Sequence, residues 1–294
     1  MWAAIAHSIS VASGHPFQSL RHHSVGGGCI NRAYRLDGRM AGKEVTFFVK
    51  TNRADLLPML MAEADGLHEL GRVQAIRVPY PLCYGAAAKA YLVIEYIELG
   101  SPSASSSRQL GEQLAAMHHH RSGQFGWFRD NTIGSTPQLN AQAGHWPDFF
   151  RQQRLAFQLS CAAEHGYGRR LQHKGEALLA VIDRFFDTYL PQPSLLHGDL
   201  WGGNVGFDHH GAPVIFDPAV YYGDRETDLA MTELFGGFDS QFYAAYQDAY
   251  PLDDGYPHRR RLYNLYHILN HANLFGGGYV RQAEDMMDQL LAEV

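Results

Sequence analysis

Cysteine is scarce in this chain, with three among 294 residues. Cys29, Cys83 and Cys161 are far apart, odd in number and in no metal-ligand spacing. That excludes a disulfide framework or a cysteine-held zinc site and fits a reducing cytoplasm. Blocks of lysine or arginine are missing too, and the formal net charge is -6. The chain therefore offers no electrostatic footprint for nucleic acid. No apolar run is long enough to span a bilayer, which argues against a membrane partner. The opening MWAAIAHSISVASG lacks the basic stretch and long apolar core of a secretion signal, and reads as a short amphipathic helix stopping at Gly14. Neither the dinucleotide-binding fingerprint nor the Walker A spacing is present.

What the chain does have is the composition of a soluble globular protein, 46% hydrophobic and 18% charged, with length for two domains or one bilobal unit. The histidine run His118, His119 and His120 ends a helical pattern, where polar or cationic groups suit the dipole, and reads as surface. From about residue 17 to 96 strand patterns dominate, in QSLRHHSV, AYRLDG, EVTFFVK and AYLVIEYI, with one helical stretch among them. This predicts a small antiparallel sheet with one helix. The segment ELGSPSASSS, residues 98 to 107, is Gly-, Pro- and Ser-rich and reads as a connector, so the expected domains are 1–98 and 99–294. Helical patterns follow at roughly 106–120, 146–164 and 171–189, interrupted by HGDLWGGN and two short strands, NVGFD and APVIFD.

Several polar residues stand out against this background. Alternation along VTFFVK puts Val45, Phe47 and Val49 on one face and Thr46, Phe48 and Lys50 on the other. The next helix carries Glu63 inside an apolar stripe of Leu56, Leu60, Leu67 and Leu70. An unpaired carboxylate there is costly, which predicts an ion pair between Glu63 and Lys50. Upstream, Gly26, Gly27 and Gly28 let the backbone approach an anion closely, or simply form a hairpin turn. Their place ahead of a strand lysine and a helical glutamate is the order that a phosphate-covering hairpin requires. In LLHGDLWGGNVGFD, Asp199 can orient or deprotonate a hydroxyl, and Asn204 can offer a neutral oxygen to magnesium. Asp217, ending VIF, supplies an anionic ligand for the same ion. The ordered set Lys50, Glu63, Asp199, Asn204 and Asp217 is phosphoryl-transfer equipment.

With these residues in place, the chain resembles the protein-kinase-like superfamily, and within it the fructosamine kinase (ketosamine-3-kinase) family, over nearly its whole length. The stretches that carry the resemblance include GGGCINRAYRL, FGWFRDNTIGSTPQLN, LLHGDLWGGNVGF and IFDPAVYYGDRETDLAMTELFGGF. It implies an α+β bilobal fold, with a small N-terminal antiparallel sheet lobe and a larger, mainly helical C-terminal lobe, and ATP in the cleft. It implies phosphate transfer to O3' of a ketosamine, free or protein-bound, as a deglycation repair activity. In this resemblance Lys50 would hold the ATP phosphates and Glu63 would fix Lys50. Backbone groups of Glu95, Tyr96 and Ile97 would serve the adenine, Asp199 would be the base, and Asn204 and Asp217 would hold magnesium.

Two departures from the protein-kinase pattern are Gly198, where those enzymes have an arginine, and Pro218 after Asp217; both suit a constitutively active site. Asp228 reads as structural support for the catalytic loop through its backbone N–H groups. Glu226 reads as the charge at a helix start, or else reaches the substrate. Trp201 either stacks on a sugar face or packs in the core, and Phe235 and Phe238 read as packing residues in a loop near the acceptor. Family members carry a redox cysteine at the position of Cys29, so the expected monomer has a redox-linked dimer as its alternative, and a reduced bystander thiol is the plainer reading. A kinase for another small hydroxylated or amino compound, or a nucleotide-binding pseudokinase, remains open.

Overall fold

A computed structural model describes residues 1–26 and 30–294. The chain divides into two compact units, Met1–Ser106 with Gly206–Asp217, and Ser107–Val205 with Pro218–Val294. The first begins with α1 (Trp2–Ser13), which stops at Gly14 in the left-handed conformation, as its sequence suggests. Then follow β1 (Phe17–Val25), β2 (Arg32–Met40), β3 (Lys43–Asn52), α2 (Leu57–Val73), β4 (Pro81–Ala86) and β5 (Ala90–Glu95). Among the described residues the five strands form one antiparallel sheet in the order β1-β2-β3-β5-β4.

Strand alternation decides which residues cover which face of this sheet. On one side Val49, Leu36, Tyr91 and Val93 bury Ile5 and Ile9 of α1, with Val45 and Phe47 at the margin. On the other, Leu92 and Ile94 meet Leu60, Ala64 and Leu67 of α2, with Phe48 beside them. Lys50 shares this second face, and its side chain is buried. The sheet is therefore covered by two helices, where the sequence reading placed one helix beside it.

The second unit contains α3 (Ser106–His118, its first residue counted with the first unit), β6 (Asn131–Ile133), β7 (Thr136–Gln138) and α4 (Trp146–Phe149). A π-helical stretch, Phe150–Ala156, leads into α5 (Phe157–Glu164), followed by α6 (Arg169–Val181) and β8 (Ser194–Leu196). Next come β9 (Val205–Phe207) and β10 (Pro213–Ile215), a paired hairpin whose residues from Gly206 on belong to the first unit. Then β11 (Tyr221–Gly223) pairs antiparallel with β8, and α7 (Glu226–Leu234), α8 (Ser240–Ala249), α9 (Tyr256–Phe275) and α10 (Gly278–Ala292) complete the chain. Helix α9 is the spine of this unit, buried along most of its length, with α5, α7 and α10 packed on it. Among the described residues no helix is long and apolar enough to cross a membrane.

The division differs from the expected boundary at 98/99. The connector stays with the first unit, and 206–217 returns to it. Arg77 explains the return: its carbonyl accepts from the Ile215 amide (3.0 Å), and its guanidinium bonds Asp208 (2.9 Å) and Glu95 (2.8 Å). The connector end is tied down as well, because the Ser106 hydroxyl donates to the Gly211 carbonyl (2.5 Å).

Candidate active site

In the first unit, β3 delivers Lys50 and α2 delivers Glu63, and the predicted ion pair between them is present. Lys50 pairs with Asp217 as well, a contact that spacing does not foreshadow. Burial alone would lower the pKa of the Lys50 ammonium, but the charges of Glu63 and Asp217 outweigh it and hold it above its ordinary value. Asp217 follows β10 with a φ of 58°, in the left-handed region that non-glycine residues rarely occupy. Such a backbone costs on the order of 1–3 kcal/mol and persists only where its surroundings enforce it.

Glu95 ends β5 with its amide bonded to the Tyr80 carbonyl (2.8 Å) and its carboxylate on Arg77. Its N–H is thus committed to Tyr80. Tyr96 lies under the Arg35 guanidinium, 4.9 Å from the ring centroid, and Ile97 is half-buried. Gly26 is exposed, with open space where a side chain would stand. Gly27, Gly28 and Cys29 lie outside the described residues.

In the second unit, β8 ends at Leu196 and the chain turns through His197 and Gly198 to Asp199. Gly198 has a φ of 82°, and a Cβ there would lie 2.1 Å from the Ala219 carbonyl oxygen. Only glycine fits, which is the steric reason why no arginine stands before Asp199. The turn is held from below by Asp228, whose carboxylate accepts the amides of His197 (2.7 Å) and Gly198 (2.8 Å). That is the supporting part expected of Asp228.

A third bond to the Asp228 carboxylate comes from Nε2 of His118, at 3.2 Å. His118 is fully buried, contrary to its reading as a surface residue, whereas His119 and His120 are exposed. Burial holds its imidazole below the ordinary value, so the neutral ring donates from Nε2 and accepts the Tyr246 hydroxyl at Nδ1 (2.8 Å). Burial would push Asp228 up, but the bonds from His118 and the loop amides keep it below the usual carboxylate range.

Asn204, nearly buried, donates its amide to the Asp199 carbonyl (2.9 Å) and carboxylate (3.3 Å). With Nδ2 so engaged, Oδ1 is the atom suited to a cation. Glu226 is wholly buried and makes a bidentate pair with Arg259 (2.7 and 3.0 Å), so a reach to substrate is excluded. Trp201 is 39% exposed, its ring lying over Gly203 and 6.3 Å from that of Phe235. Neither aromatic is a core residue. Phe238 does pack, edge-on against Phe242.

The loop geometry and the buried lysine-glutamate pair are those of a kinase-like phosphotransferase, and the model of the family described as fructosamine kinase matches residues 1–293. The chain belongs to the fructosamine kinase family. A protein of Synechocystis assigned as a ketoamine kinase is 48% identical, over 99% of this chain and 97% of its own. The chloroplastic protein-ribulosamine 3-kinase of Arabidopsis thaliana is 43% identical, over 91% of this chain and 82% of its own. Among solved structures, one from Haemophilus somnus assigned as a fructosamine-3-kinase superposes with a TM-score of 0.88 at 27% identity, covering 99% of this chain and 98% of that one. The fold is kinase-like and α+β, with a sheet unit and a helical unit, and an aminoglycoside phosphotransferase of 15% identity shares it with a TM-score of 0.60.

Proposed function

We propose that this fructosamine kinase family member transfers the γ-phosphate of ATP to the O3' hydroxyl of ketosamines, free or protein-bound, as a deglycation step. The observation that carries this reading is the Asp199–Asn204 pair on a loop anchored by Asp228, in a chain matched by the family from end to end. Asp199 orients the hydroxyl and takes its proton as the O3'–P bond forms and the bond to the ADP oxygen breaks. Lys50, kept charged by its carboxylate partners, binds the phosphates. Glu95 through its carbonyl, with Tyr96 and Ile97, borders the adenine.

Hard oxygen donors suit magnesium, and Asp217 and Asn204 offer a carboxylate and an amide oxygen of that kind. When bound there, magnesium would neutralise charge on the phosphates. Loop rigidity is the protein's own contribution, since Asp228 and Gly198 set the base before substrate arrives. We place the enzyme in a reducing cytoplasm as a monomer. Cys83 and Cys161 are free thiols among the described residues, and burial pushes Cys83 up to about 11, far from a reactive thiolate.

The test is ATP consumption with magnesium on fructosyl-, ribulosyl- and erythrulosyl-lysine, lysine, an aminoglycoside and choline, with phosphorus NMR of the product. Phosphate at O3' of a ketosamine is the expected result. Turnover confined to another acceptor retains the kinase and removes the deglycation role.

A further inference from the structure

Two helices of the second unit end alike. Helix α7 closes with Leu234 before Phe235–Gly236–Gly237, and α9 closes with Leu274–Phe275 before Gly276–Gly277. All four glycines have positive φ, between 63° and 98°, so the chain turns sharply just past each phenylalanine. Both phenylalanines are left exposed, at 38% and 58%. His271 of α9 stands between them, its ring 4.9 Å from Phe235, 5.6 Å from Phe275 and 5.2 Å from Tyr279. Phe235 in turn touches Trp201, two residues past Asp199, so the aromatic set is continuous with the catalytic loop.

The chemistry of this set selects a cation. Aromatic faces attract one, and the C-terminal ends of two helices carry partial negative charge. His271 adds an acceptor: its Nδ1 donates to the His267 carbonyl at 2.8 Å, so in the neutral ring Nε2 bears the lone pair. A ketosamine carries, next to its sugar, a secondary amine that is protonated near neutral pH, followed by the apolar chain of the parent amine. We propose that Phe235, His271, Phe275 and Tyr279 form the subsite for this amine arm, with the ammonium against the aromatic faces and the Nε2 lone pair. The assignment rests on the proposed ketosamine reading and names what that site selects.

The experiment compares fructosyl-lysine with a counterpart in which the ketosamine nitrogen is acylated and uncharged, by steady-state turnover and by calorimetric binding. Wild type, Phe275→Ala and His271→Phe are used, the last retaining an aromatic ring without the acceptor, and thermal melts confirm folding. We expect each variant to raise KM and Kd for fructosyl-lysine about fivefold or more, the scale of one cation–π contact or hydrogen bond, with kcat changing much less. The loss for the acylated acceptor should be at least threefold smaller. If both acceptors lose equally, or neither loses, the subsite is wrong while the ketosamine kinase stands. If wild type neither binds nor phosphorylates fructosyl-lysine, both readings fall.

Discussion

Asp199 and Gly198 carry opposite demands, one chemical and one steric. Asp199→Asn should retain ATP binding and lose at least about a hundredfold in turnover, the low end for a general base. Stopped turnover assays beside nucleotide titrations check this, and near-normal turnover would remove Asp199 from its role. Gly198→Ala has no room, since the clashing atom is the Ala219 backbone carbonyl and the φ is 82°. We expect destabilisation on the order of 1–3 kcal/mol, read as a lowered melting temperature together with impaired catalysis. An alanine variant that melts with wild type would show that the turn relaxes freely.

At the level of strands and helices, Asp37 of β2 ties three strands together, accepting from Arg21 of β1 (2.9 Å), Arg35 of β2 (2.8 Å) and Thr46 of β3 (2.8 Å). Burial would raise its pKa, but those bonds lower it to about 2. A depressed carboxylate stabilises the fold above its unfolded-state pKa, near 4, and that contribution is lost as the pH falls toward about 2. Asp37→Asn should therefore melt below wild type at pH 7, with the gap closing between pH 5 and pH 2. A gap independent of pH would mean that the ionised carboxylate is not what ties the strands. Helix α1 matters through packing instead. Ile9→Ala, at a fully buried position, should cost about 2–5 kcal/mol in denaturant unfolding.

For the chain as a whole, the first unit is discontinuous. A fragment of residues 1–106 lacks the β9–β10 hairpin, and with it Asp208 for Arg77 and Asp217 for Lys50. Buried Lys50 then keeps only one of its two carboxylates. We expect this fragment to melt without a cooperative transition, and appending residues 206–217 through a flexible linker to restore one. Cooperative melting of the bare fragment would show that the hairpin is dispensable to the unit's stability.

Much of this was legible in neighbouring residues, because strand alternation and the helical stripe act over a few positions. They predicted the Lys50–Glu63 pair, the end of α1 at Gly14, and the loop that joins Asp199 to Asn204. The fold class and the family followed from ordered motifs along the chain. What stayed hidden depends on which distant segments meet. Lys50 and Asp217 lie 167 positions apart, and Arg77 draws the 206–217 hairpin into the first unit across a similar gap. His118 looked like a surface residue because the buried carboxylate that claims it, Asp228, arrives 110 positions later. Gly198 looked like a lost arginine until the Ala219 carbonyl filled the space above it. Local pattern settles which face a side chain takes, but the partner of a buried charge and the room for a Cβ exist only once the chain has packed.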